Sequence, residues 1–241
     1  MTDWEFDRKF AFSADYAGGH KATHDVYVKG DGPPILILQE LPGLGPETLG
    51  LIDRLAGEGF RVYALHFLGR FGTTSTGGNF ARVLCMRRAF HLFRAGAESP
   101  IAAYFRALVR HVSELEGGAG VGVIGMCLTG SFALTMMADA AVLGGVASQP
   151  ALPIMGRGKL PMSSADIEAA RAGMAEKGPG LAMRYKRDIA VPDASFCAYE
   201  QAFGDDLELV EYDGRGHSLL TLHFKPDAFD RVVAYFSGRL G

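Results

Sequence analysis

Short apolar runs alternate with longer helical patterns along most of this chain, from Val26 to its last helix. The runs predict strands at 35–39, 61–65, 121–124, 144–148, 181–185 and 207–212. The patterns between them predict helices at 47–58, 80–95, 100–115, 128–140, 164–177, 192–203 and 227–239. Such alternation builds parallel βαβ units. We therefore expect an α/β fold with a mostly parallel sheet of seven or eight strands, helices on both faces, and reacting groups at the strands' carboxyl ends.

The length and charge of the chain narrow its class. At 241 residues it is long enough for one substantial core, so we expect a single domain over 1–241. The net charge is −3 with both signs mixed throughout, which argues against a nucleic-acid face or a polybasic membrane anchor. The first nine residues lack the apolar core of a signal peptide and no run approaches membrane-spanning length, so a cytoplasmic protein is expected.

The cysteines and histidines give no metal or disulfide pattern. Cys85, Cys127 and Cys197 are too scattered for a disulfide framework, and no C-x-x-C is present. His20 and His24 lie in a predicted loop-to-strand segment without companions at ligand spacing. We expect reduced thiols, no metal and no cofactor.

A cysteine lies at one predicted corner between a strand and a helix, in the sequence GMCLTG at 125–130. A residue at such a corner points its side chain into solvent near the positive end of the helix dipole, and flanking glycines let strand and helix pass closely. With three cysteines and 32 glycines, about 0.05 matches to G-x-C-x-x-G are expected by chance. We interpret Cys127 as a nucleophile; the alternative is a buried thiol that fills a helix N-terminus.

Two other motifs that would indicate a different function are not supported by the sequence. No serine of the chain lies in G-x-S-x-G. The literal G-x-G-x-x-G at 120–125 has Val121, Val123 and Ile124 as its own strand, whereas a dinucleotide fingerprint follows a strand and opens a helix.

An acid and a histidine follow later strands. Asp188 comes after the strand at 181–185, and His217 comes after the strand at 207–212 in a glycine-containing loop. Nucleophile, acid and histidine, in that chain order, is the order of the α/β-hydrolase fold. Asp193 and Asp213 are rivals for the acid, and His223 is interpreted as structural.

A further loop follows the strand at 35–39. It places Leu41 N–H, together with Leu128 N–H after the nucleophile, where an oxyanion is bound in this fold. The acidic Glu40 beside a sheet end is costly unless it is solvated or partnered.

Taken together, Gln39-Glu40, GMCLTG, Asp188 before Val191-Pro192, and Gly216-His217-Ser218 resemble the dienelactone hydrolase family (carboxymethylenebutenolidases) over about residues 25–240. The resemblance implies a Cys127-His217-Asp188 triad that hydrolyses a small-molecule lactone or activated ester through an acyl-cysteine, without metal or organic cofactor. It also implies that Leu41 and Leu128 bind the oxyanion, and that Glu40 holds the resting thiol until substrate displaces it.

The chain departs from this family in two places. Thr129 stands where the family usually has a second glycine, and the arginine that grips the substrate carboxylate shortly after the histidine is absent. Arg70, Arg87 and Arg88 are the candidate replacements for that cation. Two alternatives therefore stay open: a general thiol-dependent carboxylesterase without a carboxylate clamp, and a hydrolase-fold protein that binds a small molecule without turnover. Nothing in the sequence specifies an oligomeric interface.

Overall fold

The structure, a computed structural model, describes residues 4–78, 99–151 and 160–241. These residues form an eight-stranded sheet. The strands are β1 (Arg8–Tyr16), β2 (His20–Lys29), β3 (Pro34–Leu38), β4 (Arg61–His66), β5 (Val121–Met126), β6 (Val142–Ser148), β7 (Gly180–Tyr185) and β8 (Leu207–Tyr212). The α-helices are α1 (Pro46–Gly57), α2 (Ile101–Leu115), α3 (Gly130–Thr135), α4 (Ser164–Lys177), α5 (Asp193–Phe203) and α6 (Pro226–Leu240).

The sheet is mostly parallel, as the strand and helix alternation predicts. Its order is β1-β2-β4-β3-β5-β6-β7-β8. The strands from β4 to β8 in this order all pair in parallel, whereas β1 with β2 and β2 with β4 are antiparallel. The carboxyl ends of the parallel strands therefore meet at one edge, where β3, β5, β7 and β8 each lead into a loop of the candidate site.

Helices cover both faces of this sheet. Alternate residues of β3 point to opposite sides: Leu36 and Leu38 pack in the core that contains α2, and Ile35 and Ile37 pack in the core that contains α1 and α6. All five residues of β3 are buried, because a central parallel strand is covered on both sides. The predicted α/β-hydrolase architecture is confirmed.

The hairpin of β1 and β2 was not predicted, and it corrects the placement of His20 and His24, which lie in β2. One face of this hairpin, including Phe10 and Phe12, packs on the core beside α2, while the other face carries pairs such as Lys9 with Asp25 (2.8 Å). In β1 every second residue from Lys9 to Asp15 is therefore exposed, and all of these except Ala11 are polar. A half-buried antiparallel strand has a weaker apolar signal than a strand that is buried on both faces.

The helix expected at 128–140 is shorter than its sequence pattern. Cys127–Thr129 form a 3₁₀ turn, α3 spans only Gly130–Thr135, and Met136–Ala138 form a second 3₁₀ turn. The chain then becomes extended at Asp139, whose carboxylate accepts a hydrogen bond from Ala141 N at 3.1 Å and so starts the return to β6. The helix expected at 80–95 lies outside the described residues.

Within 4–78, 99–151 and 160–241, no helix is long and apolar enough to cross a membrane. In the same ranges, no three or more histidine, cysteine or acidic side chains are grouped to hold a metal ion.

Candidate active site

Cys127 occupies a strained corner directly after β5. Its φ is 53°, in the left-handed region that costs a non-glycine residue about 1–3 kcal/mol, and its side chain is partly exposed. The chain can fold this tightly because Gly125 and Gly130 have no side chain. A Cβ on Gly125 would lie 2.3 Å from Thr129 O, and one on Gly130 would lie 2.7 Å from Pro150 Cα. The structure therefore has the nucleophile-elbow geometry expected for GMCLTG.

Thr129, the departure from a glycine, holds this corner together. Its Oγ1 accepts a hydrogen bond from Met126 N at 3.0 Å and lies 3.0 Å from the carbonyl oxygens of Leu38 and Met126, to which it donates. The corner is thereby attached to the neighbouring strand β3. On its other side, Ala151 N donates to Cys127 O at 3.1 Å.

Replacing Gly125 with alanine should destabilise this corner. The added methyl group meets backbone atoms, which cannot rotate away, so we expect a loss of about 1–3 kcal/mol in the free energy of unfolding. Urea denaturation would measure it. Gly57→Ala is the control, since a Cβ there meets nothing within 4 Å. Equal stability of the two variants would contradict the tight corner.

Asp188 and His217 meet above the carboxyl ends of β7 and β8. Asp188 Oδ2 lies 2.7 Å from His217 Nδ1, and the carboxylate is almost fully buried. Its other oxygen accepts hydrogen bonds from Ala190 N at 2.8 Å and Val191 N at 3.3 Å. The loop thus fixes both oxygens of Asp188 and aims one of them at the imidazole.

The rival acids bind other partners. Asp193 accepts a hydrogen bond from Arg184 at 2.6 Å, and Asp213 pairs with Lys186 at 2.9 Å. Among the described residues, Asp188 is the acid that the structure brings to His217.

The candidate nucleophile also affects the pKa of His217. Burial on its own would lower the pKa of His217, but its hydrogen bonds to Asp188 and Cys127 and the charges of both groups raise that pKa to about 10. A pKa above the ordinary histidine value favours the doubly protonated imidazole. The imidazole thus interacts with both the Asp188 carboxylate and the Cys127 sulfur.

The loop that carries His217 is shaped around Tyr185. A Cβ on Gly214 or Gly216 would lie 2.7 Å or 2.6 Å from the tyrosine ring, so the loop backbone packs directly on it. Tyr185 Oη donates to His223 O at 2.6 Å, and His217 N donates to His223 Nδ1 at 3.3 Å. His223 thus supports the position of His217.

The acid loop is held by a buried arginine. Arg184 donates to Val191 O and to Asp193, both at 2.6 Å, and stacks on the ring of Phe196 at 4.7 Å from its centroid. Since Val191 N in turn binds Asp188, the guanidinium supports the turn that orients the acid. This role of Arg184 was not predicted from the sequence.

Glu40 is buried at the end of β3, with 1% of its surface exposed. Ser218 Oγ donates to its Oε2 at 2.9 Å, Gln149 Nε2 donates to the same oxygen at 3.4 Å, and Thr221 Oγ1 donates to its Oε1. Burial raises the pKa of Glu40, and these three hydrogen bonds together with the charge of His217 oppose that rise. Within the described chain these three side chains are its hydrogen-bond partners, and the Cys127 thiol is not among them.

The two candidate oxyanion donors follow β3 and β5. Gln39 fixes the end of β3, because its Oε1 accepts from Phe67 N (3.0 Å) and Leu68 N (3.1 Å). Leu41 follows two residues later. Leu128 lies in the first turn after Cys127, where backbone N–H groups have no acceptor within the helix. Their role as oxyanion donors stays a prediction.

Of the three arginines that are candidates for binding a substrate carboxylate, one lies within the described residues. Arg70 is exposed in the loop after β4, where its carbonyl oxygen accepts from Thr73. Arg87 and Arg88 lie outside the described residues.

A model of the dienelactone hydrolase family matches residues 22–228. This chain belongs to that family. Membership assigns the chain to the carboxylic ester hydrolases. No curated protein matches the sequence significantly.

Solved structures share the dienelactone hydrolase fold at low identity. An esterase from Pyrococcus furiosus is 15% identical with a TM-score of 0.66, over 99% of this chain and 95% of that one. A dienelactone hydrolase-like promiscuous phosphotriesterase from metagenomic libraries is 17% identical with a TM-score of 0.64, over 97% and 99%. An α/β serine hydrolase without a lid, from Xanthomonas campestris, is 12% identical with a TM-score of 0.60, over 96% and 95%.

In this member of the dienelactone hydrolase family, the residues directly after His217 pack in the protein interior. Ser218 and Thr221 both bind Glu40, while Leu219 and Leu220 are fully buried. The segment that lacks the family's arginine is therefore part of the protein interior and offers no cation to a substrate.

Proposed function

We propose that this chain hydrolyses a lactone or activated carboxylic ester through an acyl-cysteine formed on Cys127. The observation that carries the proposal is the Asp188–His217 hydrogen bond together with the strained corner that holds Cys127 directly after β5. The sulfur also raises the pKa of His217. An imidazolium beside a cysteine is the setting in which the sulfur reacts as a thiolate.

The reaction needs only groups of this chain and water. Cys127 Sγ attacks the carbonyl carbon, and the carbonyl oxygen takes up the electron pair near Leu41 N–H and Leu128 N–H. The carbon–oxygen ester bond then breaks, and the proton on His217 Nε2 goes to the departing oxygen. Asp188 keeps the imidazole oriented. Water next gives a proton to His217 and attacks the thioester, which releases the acid and restores the thiolate.

The second candidate is a general thiol-dependent carboxylesterase. One observation favours it. Ser218 and Thr221 donate their hydroxyl hydrogen bonds to Glu40, so the residues after His217 provide no clamp for a substrate carboxylate. Rates on an anionic dienelactone and a neutral aryl ester, with salt varied, separate the two. A preference for the anion that fades with salt supports a cationic clamp. Equal rates support the general esterase.

A protein that binds a small molecule without turnover is the third alternative, and the assembled Cys127, His217 and Asp188 argue against it. Because a thiol nucleophile works only while reduced, we place the enzyme in a reducing compartment, the cytoplasm. Its proposed substrate is a small-molecule ester or lactone.

Intact-protein mass after brief exposure to p-nitrophenyl acetate tests the acyl-cysteine. Cys197 is exposed and offers a second thiol, so a Cys197→Ser background is the matched control. We expect an acetyl adduct that forms and clears, no such adduct in Cys127→Ala, and slow formation in His217→Ala. Absence of both adduct and turnover with any ester or lactone would favour the binding protein.

A further inference from the structure

We propose that Glu40 is a positioning residue: its buried carboxylate fixes the oxyanion loop, the histidine loop and the loop after β6 relative to one another. This inference rests on the proposed function, and it differs from the role of holding the resting thiol that the family resemblance implies for Glu40.

The Glu40–Ser218 hydrogen bond joins two residues that are each adjacent in sequence to a candidate catalytic group. Glu40 directly precedes Leu41, the candidate oxyanion donor, and Ser218 directly follows His217, the candidate base. Their side chains meet at 2.9 Å although they are 178 positions apart in the sequence. One contact therefore joins the backbones that carry two catalytic groups, with no residue between the contact and either group.

Thr221 adds a second attachment from the same loop, to the other oxygen of Glu40. Both oxygens are then bound by the histidine loop, so the carboxylate plane and the loop cannot rotate relative to each other. Ser218 and Thr221 are themselves almost fully buried, which removes water as a competing partner.

Gln149 brings in a third loop. Its backbone has a φ of 37° directly after β6, its N–H donates to Met183 O at 2.7 Å, and its side chain reaches Glu40 at 3.4 Å. Two residues later Ala151 N binds Cys127 O. The same carboxylate thus also touches the loop that contacts the nucleophile.

A carboxylate suits this place because all three partners donate. Its two oxygens accept every one of these hydrogen bonds in the arrangement observed. An amide of the same size puts an NH₂ group on one side, so the hydroxyl on that side has to turn and accept. Burying the charge costs stability, as the raised pKa of Glu40 indicates. The glutamate is therefore explained by the three loops that it holds in position and not by a gain in stability. Its oxygens accept hydrogen bonds from groups other than the thiol.

The test compares Glu40→Gln, Ser218→Ala, the double variant, and the pair Thr221→Val and Thr221→Ser. Ser113→Ala is the matched control, since Ser113 Oγ is a buried donor to Ala119 O remote from the site. We expect Glu40→Gln and Ser218→Ala each to lower kcat by about 10- to 100-fold with little change in KM, as a misplaced base does. The double variant should be no worse than Glu40→Gln, and Thr221→Ser should recover what Thr221→Val loses.

Alkylation of Cys127 by iodoacetamide across pH, without substrate, separates the two roles of Glu40. Positioning predicts that Glu40→Gln and Ser218→Ala shift this midpoint in the same direction, because both variants release His217 from its place beside the sulfur. A shift in Glu40→Gln that Ser218→Ala does not share would overturn positioning in favour of contact with the thiol. Unchanged kcat, or a rise in KM alone, would also overturn it.

Failure of the proposed function gives a different result. Wild type would then turn over no ester, and urea unfolding of the same variants would decide about Glu40. Coupled effects of Glu40→Gln and Ser218→Ala on stability support the attachment, and additive effects overturn it.

Discussion

Replacing Cys127 with alanine is expected to lower kcat/KM for an activated ester by about 10⁴-fold or more. Loss of a single member of a triad removes most of the chemical rate, because the remaining groups have no nucleophile to activate. The fold should survive. Alanine at this corner keeps a Cβ and loses the sulfur, so the strain at φ 53° is the same in both proteins.

Steady-state rates with an aryl ester, together with thermal unfolding, would measure both effects. Cys197→Ser provides the comparison, because it removes an exposed thiol from helix α5. Activity of Cys127→Ala above about one hundredth of wild type would place the nucleophile elsewhere and reject the acyl-cysteine.

Replacing Asp188 with asparagine should lower kcat by about 10³- to 10⁴-fold through the tautomer of His217. Ala190 N and Val191 N both donate to Oδ1, so the asparagine oxygen takes that side and its NH₂ faces His217 Nδ1. Nδ1 must then accept, which moves the ring proton to Nε2. A neutral imidazole in that form cannot take a proton from water.

The pKa of His217 should fall from about 10 in the same variant, because a hydrogen bond and a charge that raise it are lost. The raised pKa stabilises the fold fully below the ordinary histidine pKa, and this stabilisation is lost as pH rises through about 10. Asp188→Asn should therefore lose more stability at neutral than at strongly alkaline pH.

Imidazole NMR titration and pH-dependent unfolding would check both statements. The control is Asp213→Asn, because the Asp213 carboxylate is exposed and pairs with Lys186. If the two variants had similar kcat, Asp188 would not be the acid of the triad.

The parallel strands and the residues of the proposed triad could be predicted from sequence because their signals are local. Strands buried on both faces are continuous apolar runs, and a cysteine at a strand-to-helix corner with Gly125 and Gly130 on either side has few structural explanations. The order Cys127, Asp188, His217 could then be recognised because each of these residues follows a predicted strand. The pairing of Asp188 with His217 agrees with that order.

The support of the site could not be predicted, since it depends on contacts between distant parts of the chain. Nothing near Glu40 in the sequence indicates Ser218 or Thr221, and buried hydroxyls in an apolar segment give no pattern. Arg184 lies within a strand whose other residues are buried, where a charge is tolerated only through partners that sequence does not show. The β1–β2 hairpin was missed because only one of its faces is apolar.

The packing of Gly214 and Gly216 on Tyr185 limits how this enzyme can diversify. Enzymes of one fold commonly acquire new substrates by insertions in the loops around a rigid scaffold. Here a residue added between the two glycines would move one of them off the ring, and any side chain in their place meets it. The histidine loop is thus closed to changes in length, and new specificity must evolve in other loops.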